Sequence, residues 1–210
     1  MIIAIDGPAA SGKGTLARRL ARQLGCPHLD TGLLYRAVAL SLIESHADLS
    51  DEAAAIRAAD TLDTGRLGEP ILRGRDMGEA ASVVSAFPSV RERLLALQRS
   101  FAAQPGGAVL DGRDIGTVVC PSADVKLYVT ASVAERADRR YRELRAAGQP
   151  TTPEAVLDEI RRRDARDQGR SAAPLTIAPG ATVLDTTGLD ADRAFDQALA
   201  IVRQVTNRAA

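Results

Sequence analysis

Met1-Ile2-Ile3-Ala4-Ile5-Asp6 runs directly into Gly7-Pro8-Ala9-Ala10-Ser11-Gly12-Lys13-Gly14-Thr15, after which Leu16, Leu20 and Leu24 recur at helical spacing. A short apolar strand, a glycine-rich turn and a helix, in that order, form the setting in which a backbone loop wraps a chain of phosphates. The glycines let successive N–H groups point inward, the helix start adds its dipole, and Lys13 brings a cation to the β- and γ-phosphates. Gly7 to Thr15 are therefore the candidate contacts of a nucleoside triphosphate. The loop departs from the strict pattern at Gly14, which follows the lysine where a hydroxyl residue is usual. The hydroxyl comes one residue later, at Thr15, the candidate contact for magnesium.

Working outward, four more short strand signals follow, at 28–30, 107–111, 125–130 and 182–186, with helical segments between them. This alternation predicts an α/β fold: a central, five-stranded parallel sheet flanked by helices. Ser132 with Glu135 three residues on predicts a capped helix after the fourth strand, and Asp190 predicts the start of a last helix over 191–206. Two stretches stand apart as insertions: 61–80, rich in glycine and charge, and 146–174, where Gly-Gln-Pro-Thr-Thr-Pro precedes an arginine-rich helix.

The chain has 210 residues, enough for one domain with a sizeable core. Lys+Arg and Asp+Glu are both 27, so no basic excess advertises nucleic acid or a membrane surface, and any polyanion site must be local. Two cysteines, Cys26 and Cys120, make no disulfide framework. With no leader-like start and no apolar run long enough to span a bilayer, a soluble cytoplasmic protein is expected. Only Lys13 and Lys126 among the basic residues are lysines, so a background that disfavours lysine still places one in the loop. His28 and His46 have no metal-spaced partners and read as ordinary residues.

Four further segments complete the picture: Leu29-Asp30-Thr31-Gly32-Leu33-Leu34-Tyr35-Arg36; Ala81-Ser82 leading to Ala86-Phe87-Pro88-Ser89-Val90-Arg91; Asp111-Gly112-Arg113-Asp114-Ile115-Gly116-Thr117-Val118-Val119; and Arg163-Asp164-Ala165-Arg166-Asp167-Gln168-Gly169-Arg170. With the loop, they resemble bacterial cytidylate kinases from residue 2 to about 186. The Asp-Gly-Arg-Asp-Ile-Gly-Thr run is the most telling of them. The resemblance implies a P-loop kinase fold with acceptor-binding and lid insertions, ATP as donor, CMP or dCMP as acceptor, Mg2+ as cofactor and a monomer. It implies a core of 1–30, 105–145 and 175–210, an acceptor-binding part of about 31–104 and a lid of about 146–174. The family's inserted small sheet looks shortened at 61–80, with Glu-Pro-Ile-Leu-Arg at 69–73 able to retain one strand.

Cytosine presents an exocyclic amine beside two acceptors, so its reader needs a carboxylate facing the amine and a cation or hydroxyl facing the acceptors. By resemblance those roles fall on Asp114, Arg91 and Ser82. The acceptor's monophosphate suits planar cations, and the resemblance assigns Arg36, Arg113 and Arg170 to it, with Thr31 nearby. Asp167 and Arg163 match positions that hold ribose and phosphates, although an acid among arginines on a helix also makes ordinary i,i+4 pairs. Lys13, Arg113, Arg163 and Arg170 are the candidates for charge stabilisation during transfer. Asp111, closing an apolar strand, either helps hold magnesium through water or orients Arg113. Arg136 and Arg140, one turn apart, either meet ATP or form a surface stripe. The neighbouring readings are a UMP/CMP or other small-molecule kinase and, from another class, a nucleotide-dependent switch. A switch would need a guanine-reading Lys-x-Asp, and Lys126 sits in Val-Lys-Leu-Tyr instead.

Overall fold

The structure, a computed structural model, describes residues 1–209 apart from the side chains of residues 75, 208 and 209. Strands β1 (Ile2–Asp6), β2 (His28–Asp30), β3 (Ala108–Gly112), β4 (Val125–Thr130) and β5 (Thr182–Asp185) form one parallel sheet in the order β2-β3-β1-β4-β5. The strands alternate with helices α1 (Lys13–Leu24), α2 (Thr31–Glu44), α3 (Glu52–Asp60), α4 (Arg75–Val84), α5 (Pro88–Ala102), α6 (Val133–Ala146), α7 (Pro153–Gly169) and α8 (Ala191–Ala209).

The central strand is apolar on both faces, as a covered parallel sheet demands. Ile3 and Ile5 pack with Leu16 and Leu20 of α1 and Ala198 and Val202 of α8. Ala4 joins the opposite core with Leu34 and Val38 of α2 and Leu94 of α5. A third, smaller cluster joins Ala9 of the loop after β1 to Ala137 and Leu144 of α6 and Val156 and Ile160 of α7. The α6–α7 hairpin thus shares a core with the glycine-rich loop.

Helix starts follow their capping residues. Asp30 accepts from the Gly32 N–H at 3.1 Å, and Asp190 accepts from the N–H groups of Asp192 at 3.0 Å and Arg193 at 2.8 Å. Ser132 accepts from the Glu135 N–H at 3.2 Å, but the reciprocal arm of the capping box is not made. The Ser132 N–H goes to Thr187 Oγ1 at 2.9 Å, while the Glu135 carboxylate holds Arg139.

Residues 69–73 correct an expectation, because they form no strand. Short 3₁₀ turns run over Thr64–Gly68 and Pro70–Arg73 before α4 begins. Pro70 lacks an N–H for a ladder, and the segment packs against α2 with Leu72 fully buried, away from any strand that could pair with it. The carbonyl of Leu72 accepts from Arg36 at 2.7 Å, which ties this turn to α2.

Candidate active site

The loops that leave the C-terminal ends of the parallel strands surround one cavity of about 450 Å3, where ligands of open α/β sheets bind. The glycine-rich loop walls one end. Gly7 must be glycine, since a β-carbon there would run into the Val129 carbonyl oxygen. Gly12, at the left-handed φ of 86°, turns the chain into α1 and leaves that helix without a side-chain cap, so its first N–H groups face the cavity. Lys13 Nζ donates to the Pro8 carbonyl at 3.2 Å, and Ala9, Ala10, Gly14 and Thr15 line the wall beside it. The Ser11 hydroxyl is buried without a hydrogen-bond partner among the described residues.

Burial, with Arg113 adding like charge, pulls the Lys13 ammonium down to about 7. A bound triphosphate would reverse this by supplying the missing countercharge. Free Lys13 is mostly neutral at pH 8 and would be charged beneath phosphates, so ATP binding should take up close to one proton at pH 8 and almost none at pH 6. Calorimetry of ATP binding in two buffers of different ionisation heat checks this; the uptake should vanish in Lys13→Met.

At the opposite end, Arg91 and Asp114 form a buried pair at 2.6 Å, and Arg91 also donates to the Ser85 carbonyl at 3.1 Å. The guanidinium lies 5.4 Å from the Tyr35 ring centre. Burial works against the charge on Arg91, but Tyr35 and Asp114 outweigh it and hold its pKa above the usual value. The buried Ser82 hydroxyl has no hydrogen-bond partner among the described residues. A carboxylate, a cation and a free hydroxyl therefore converge where the cavity ends.

Asp6 sets this end in place. Its carboxylate, pushed up to about 6 by burial, accepts from the N–H groups of Ile115 and Gly116, both at 2.8 Å. The next residues wind into a single wide turn, with the Cys120 N–H reaching the Ile115 carbonyl at 2.7 Å. Such π-type turns recur at functional sites. This clamp presents Arg113 and Asp114 to the cavity.

Between the two ends lie Arg36, Arg113, Arg163 and Arg170. Arg113 is the one with a strong carboxylate partner: its Nε meets Asp167 at 2.6 Å, which orients Arg113 and holds the Asp167 carboxyl below its usual range despite burial. Asp167 therefore makes a cross-cavity pair, not an ordinary pair along its own helix. Arg163 falls to about 10 through burial and the nearby Arg113, and Arg36 and Arg170 are lowered chiefly by burial as well. Guanidiniums crowded until their charge is disfavoured make a site whose balance an anionic ligand restores.

Arg140 lines the cavity and pairs with Glu143 at 2.8 Å. Arg136, expected with it beside ATP, is instead buried below the loop. It donates to the carbonyls of Ala131 and Ala9 and grips Asp164 with two bonds of 2.9 and 2.6 Å. It positions the loop and α7. The neighbouring Arg139, passed over in the sequence, lines the cavity and reaches Thr186. Thr31 donates to the Asp111 carbonyl at 2.8 Å, and the Asp111 carboxylate is held by His28 at 2.7 Å, so Asp111 does not orient Arg113 by a direct bond. Burial and the adjacent Asp111 push the Asp30 carboxyl up. Tyr35 and Asp30 stood within a quoted motif. His28 and Arg139 carried no sequence signal beyond residue type.

A glycine-rich loop after β1, a parallel sheet in this order and an arginine-lined cleft define a P-loop kinase. The comparisons narrow the class. The family model described as "Cytidylate kinase" matches residues 3–204. The cytidylate kinase of Methylobacterium sp. (strain 4-46) is 67% identical over 202 residues, covering 96% of each chain. That of Methylocella silvestris is 62% identical, covering 96% of this chain and 94% of its own. The chain belongs to the cytidylate kinase family. In fold it is similar to the crystal structure of an uncharacterized protein from Eubacterium ventriosum, with a TM-score of 0.58 at 15% identity over 97% of this chain and 98% of the other.

Proposed function

We propose that the protein transfers the γ-phosphoryl group of ATP to CMP or dCMP, giving ADP and CDP or dCDP. One observation carries the reading beyond family membership: the buried Arg91–Asp114 pair and the Ser82 hydroxyl, which has no partner among the described residues, line the same cavity as the arginine cluster and Lys13. Donor and acceptor then meet end to end, with their phosphates among the arginines. Phosphoryl transfer asks for alignment and for cations where charge spreads, and no general base is needed when the acceptor is itself a phosphate anion.

In this reading the loop N–H groups and Lys13 hold the β- and γ-phosphates. Arg36, Arg113 and Arg170 hold the acceptor phosphate, and Arg163 meets the transferring group from α7. Segment 146–174 acts as the lid that excludes water, which would otherwise compete as acceptor. Magnesium fits this site as an ion carried in with ATP. Among the described residues no three acidic, histidine or cysteine side chains converge into a metal cage, so phosphate oxygens and water would complete its shell. Thr15 and Asp111 supply hard oxygen donors beside the loop, with Asp111 Oδ2 3.6 Å from where a β-carbon on Gly14 would sit. Bound there, the ion would neutralise the β- and γ-oxygens.

We further propose that the enzyme acts as a cytoplasmic monomer on small nucleotides, without a nucleic-acid or membrane partner. No described helix is long and apolar enough to cross a membrane. The reading is tested by ADP release with ATP and magnesium, comparing CMP, dCMP, UMP, AMP and GMP. Turnover confined to CMP and dCMP supports it; turnover with AMP or GMP alone, or with none, overturns it.

Arg36→Ala should raise the KM for CMP about 10- to 100-fold, the loss of one or two charge-assisted bonds. Cytidine, which has no phosphate, should bind unchanged; equal weakening of both would instead trace to loss of the Arg36 bond to Leu72 and a displaced 70–73 turn.

A further inference from the structure

We infer that His28 is a positioning residue for the transfer: its Nε2 holds one oxygen of Asp111 so that the other faces the phosphate loop, where the cation accompanying ATP would meet it. This rests on the kinase reading above and adds a residue to it.

The placement follows from the sheet. In the parallel ladder His28 is opposite Val109, and Asp30 is opposite Asp111. His28 and Asp111 therefore share a face, the one that Val109 shows by packing with Leu16 and Leu20 of α1. The histidine sits behind Asp111, and the start of α1 lies in front. Nε2 and Asp111 Oδ1 are 2.7 Å apart, a length typical of a charge-assisted bond, and the Asp111 side chain is only 4% exposed. Thr31 fixes the Asp111 backbone through its carbonyl. With one oxygen held from behind and the backbone held from the side, Oδ2 is left toward Gly14.

The surroundings show why such a hold matters. Lys13 attracts the Asp111 carboxylate and Asp30 repels it. An unrestrained Asp111 could turn onto Lys13 and remove from the phosphates the cation they need. A donor on the far side of the carboxylate opposes that collapse. The bond is not required to join the strands, because β2 and β3 are already paired along their length and braced by Thr31.

The test compares His28→Leu with His28→Gln, whose amide can still donate to Asp111. Mn2+ serves as probe, titrated onto the enzyme–ADP complex and followed by electron paramagnetic resonance. His28→Leu should weaken Mn2+ binding about tenfold or more and lower kcat with CMP comparably, in the range seen when a residue orienting a metal ligand is removed. The KM for CMP and the affinity for metal-free ADP should stay within about twofold, and His28→Gln should restore most of both losses. Mn2+ affinity and kcat within about twofold of the parent in His28→Leu would overturn the inference, as would an equal loss for metal-free ADP. If His28→Leu does not fold, His28→Asn, one methylene too short to reach Asp111, replaces it against His28→Gln under the same criteria. A parent that phosphorylates CMP but is indifferent to His28 sinks this inference alone; a parent inert toward CMP sinks the kinase reading.

Discussion

Lys13→Ala is expected to lower kcat by roughly 10³-fold, the scale on which removal of one preorganised charge at a developing anion is felt. The affinity for CMP should stay within about threefold, because the proposed CMP contacts are made by residues other than Lys13. The fold should not suffer. The ammonium is pulled from an ordinary value of 10.5 to about 7 by burial, so the folded state binds this proton less tightly than the unfolded chain does. The penalty is fully present below about pH 7 and fades as the pH rises toward 10.5. Removing the amine at pH 7 removes that penalty, and the melting temperature should hold or rise while activity collapses. Steady-state kinetics with thermal melts at pH 7 check both halves; loss of CMP binding with ATP binding preserved would refute the donor-loop assignment.

Asp114 carries the second large effect, and two substitutions separate its roles. Asp114→Asn keeps the shape and one carbonyl acceptor but adds an amide that can donate to the carbonyl uracil has in place of cytosine's amine. The ratio of kcat/KM for CMP over UMP should fall about 100-fold, the scale of one matched hydrogen bond becoming mismatched and the reverse. An unchanged ratio would take Asp114 out of base reading. Asp114→Ala should also harm the fold, because it leaves the Arg91 guanidinium buried with the Ser85 carbonyl as its remaining hydrogen-bond partner. Breaking one partner of a buried pair costs about 3–5 kcal/mol, or roughly 10 °C in a chain of this size. A melting temperature unchanged in Asp114→Ala would show that water reaches Arg91 more freely than its burial implies.

The parts of the structure that could be read from sequence are those that short stretches decide. The glycine-rich loop lies between a strand and a helix in unbroken register, and β1, β3, β4 and β5 declare themselves by apolar residues, whereas β2, His28-Leu29-Asp30, has a single apolar residue and gives only a weak signal. What resisted reading depends on distant partners. Arg136 and Arg140 look alike on one helix face, yet Asp164, 28 residues away, draws Arg136 beneath the loop while Arg140 lines the cavity. Residues 69–73 have strand-like composition but no neighbouring strand to complete them. The His28–Asp111 bond spans 83 residues and has no local signature. The roles given to individual arginines came from family resemblance, and the fold adds that it gathers Arg36, Arg113, Arg163 and Arg170 around one cavity.

The small core shared by Ala9, α6 and α7 joins the phosphate loop to the helix that carries Arg163. α7 is held by that apolar contact, by the buried Arg136–Asp164 pair and by Asp167 on Arg113. Toward α4 one further contact is the Arg166–Glu79 pair, whose side chains are 29% and 41% exposed, and such a pair contributes about 1 kcal/mol or less. The position of α7, which carries Arg163 and Asp167, is therefore tied to the phosphate loop at Ala9. A shift of that helix would be felt in the backbone that wraps the phosphates, so the occupancy of one wall of the cavity would be reported to the other through a handful of methyl groups.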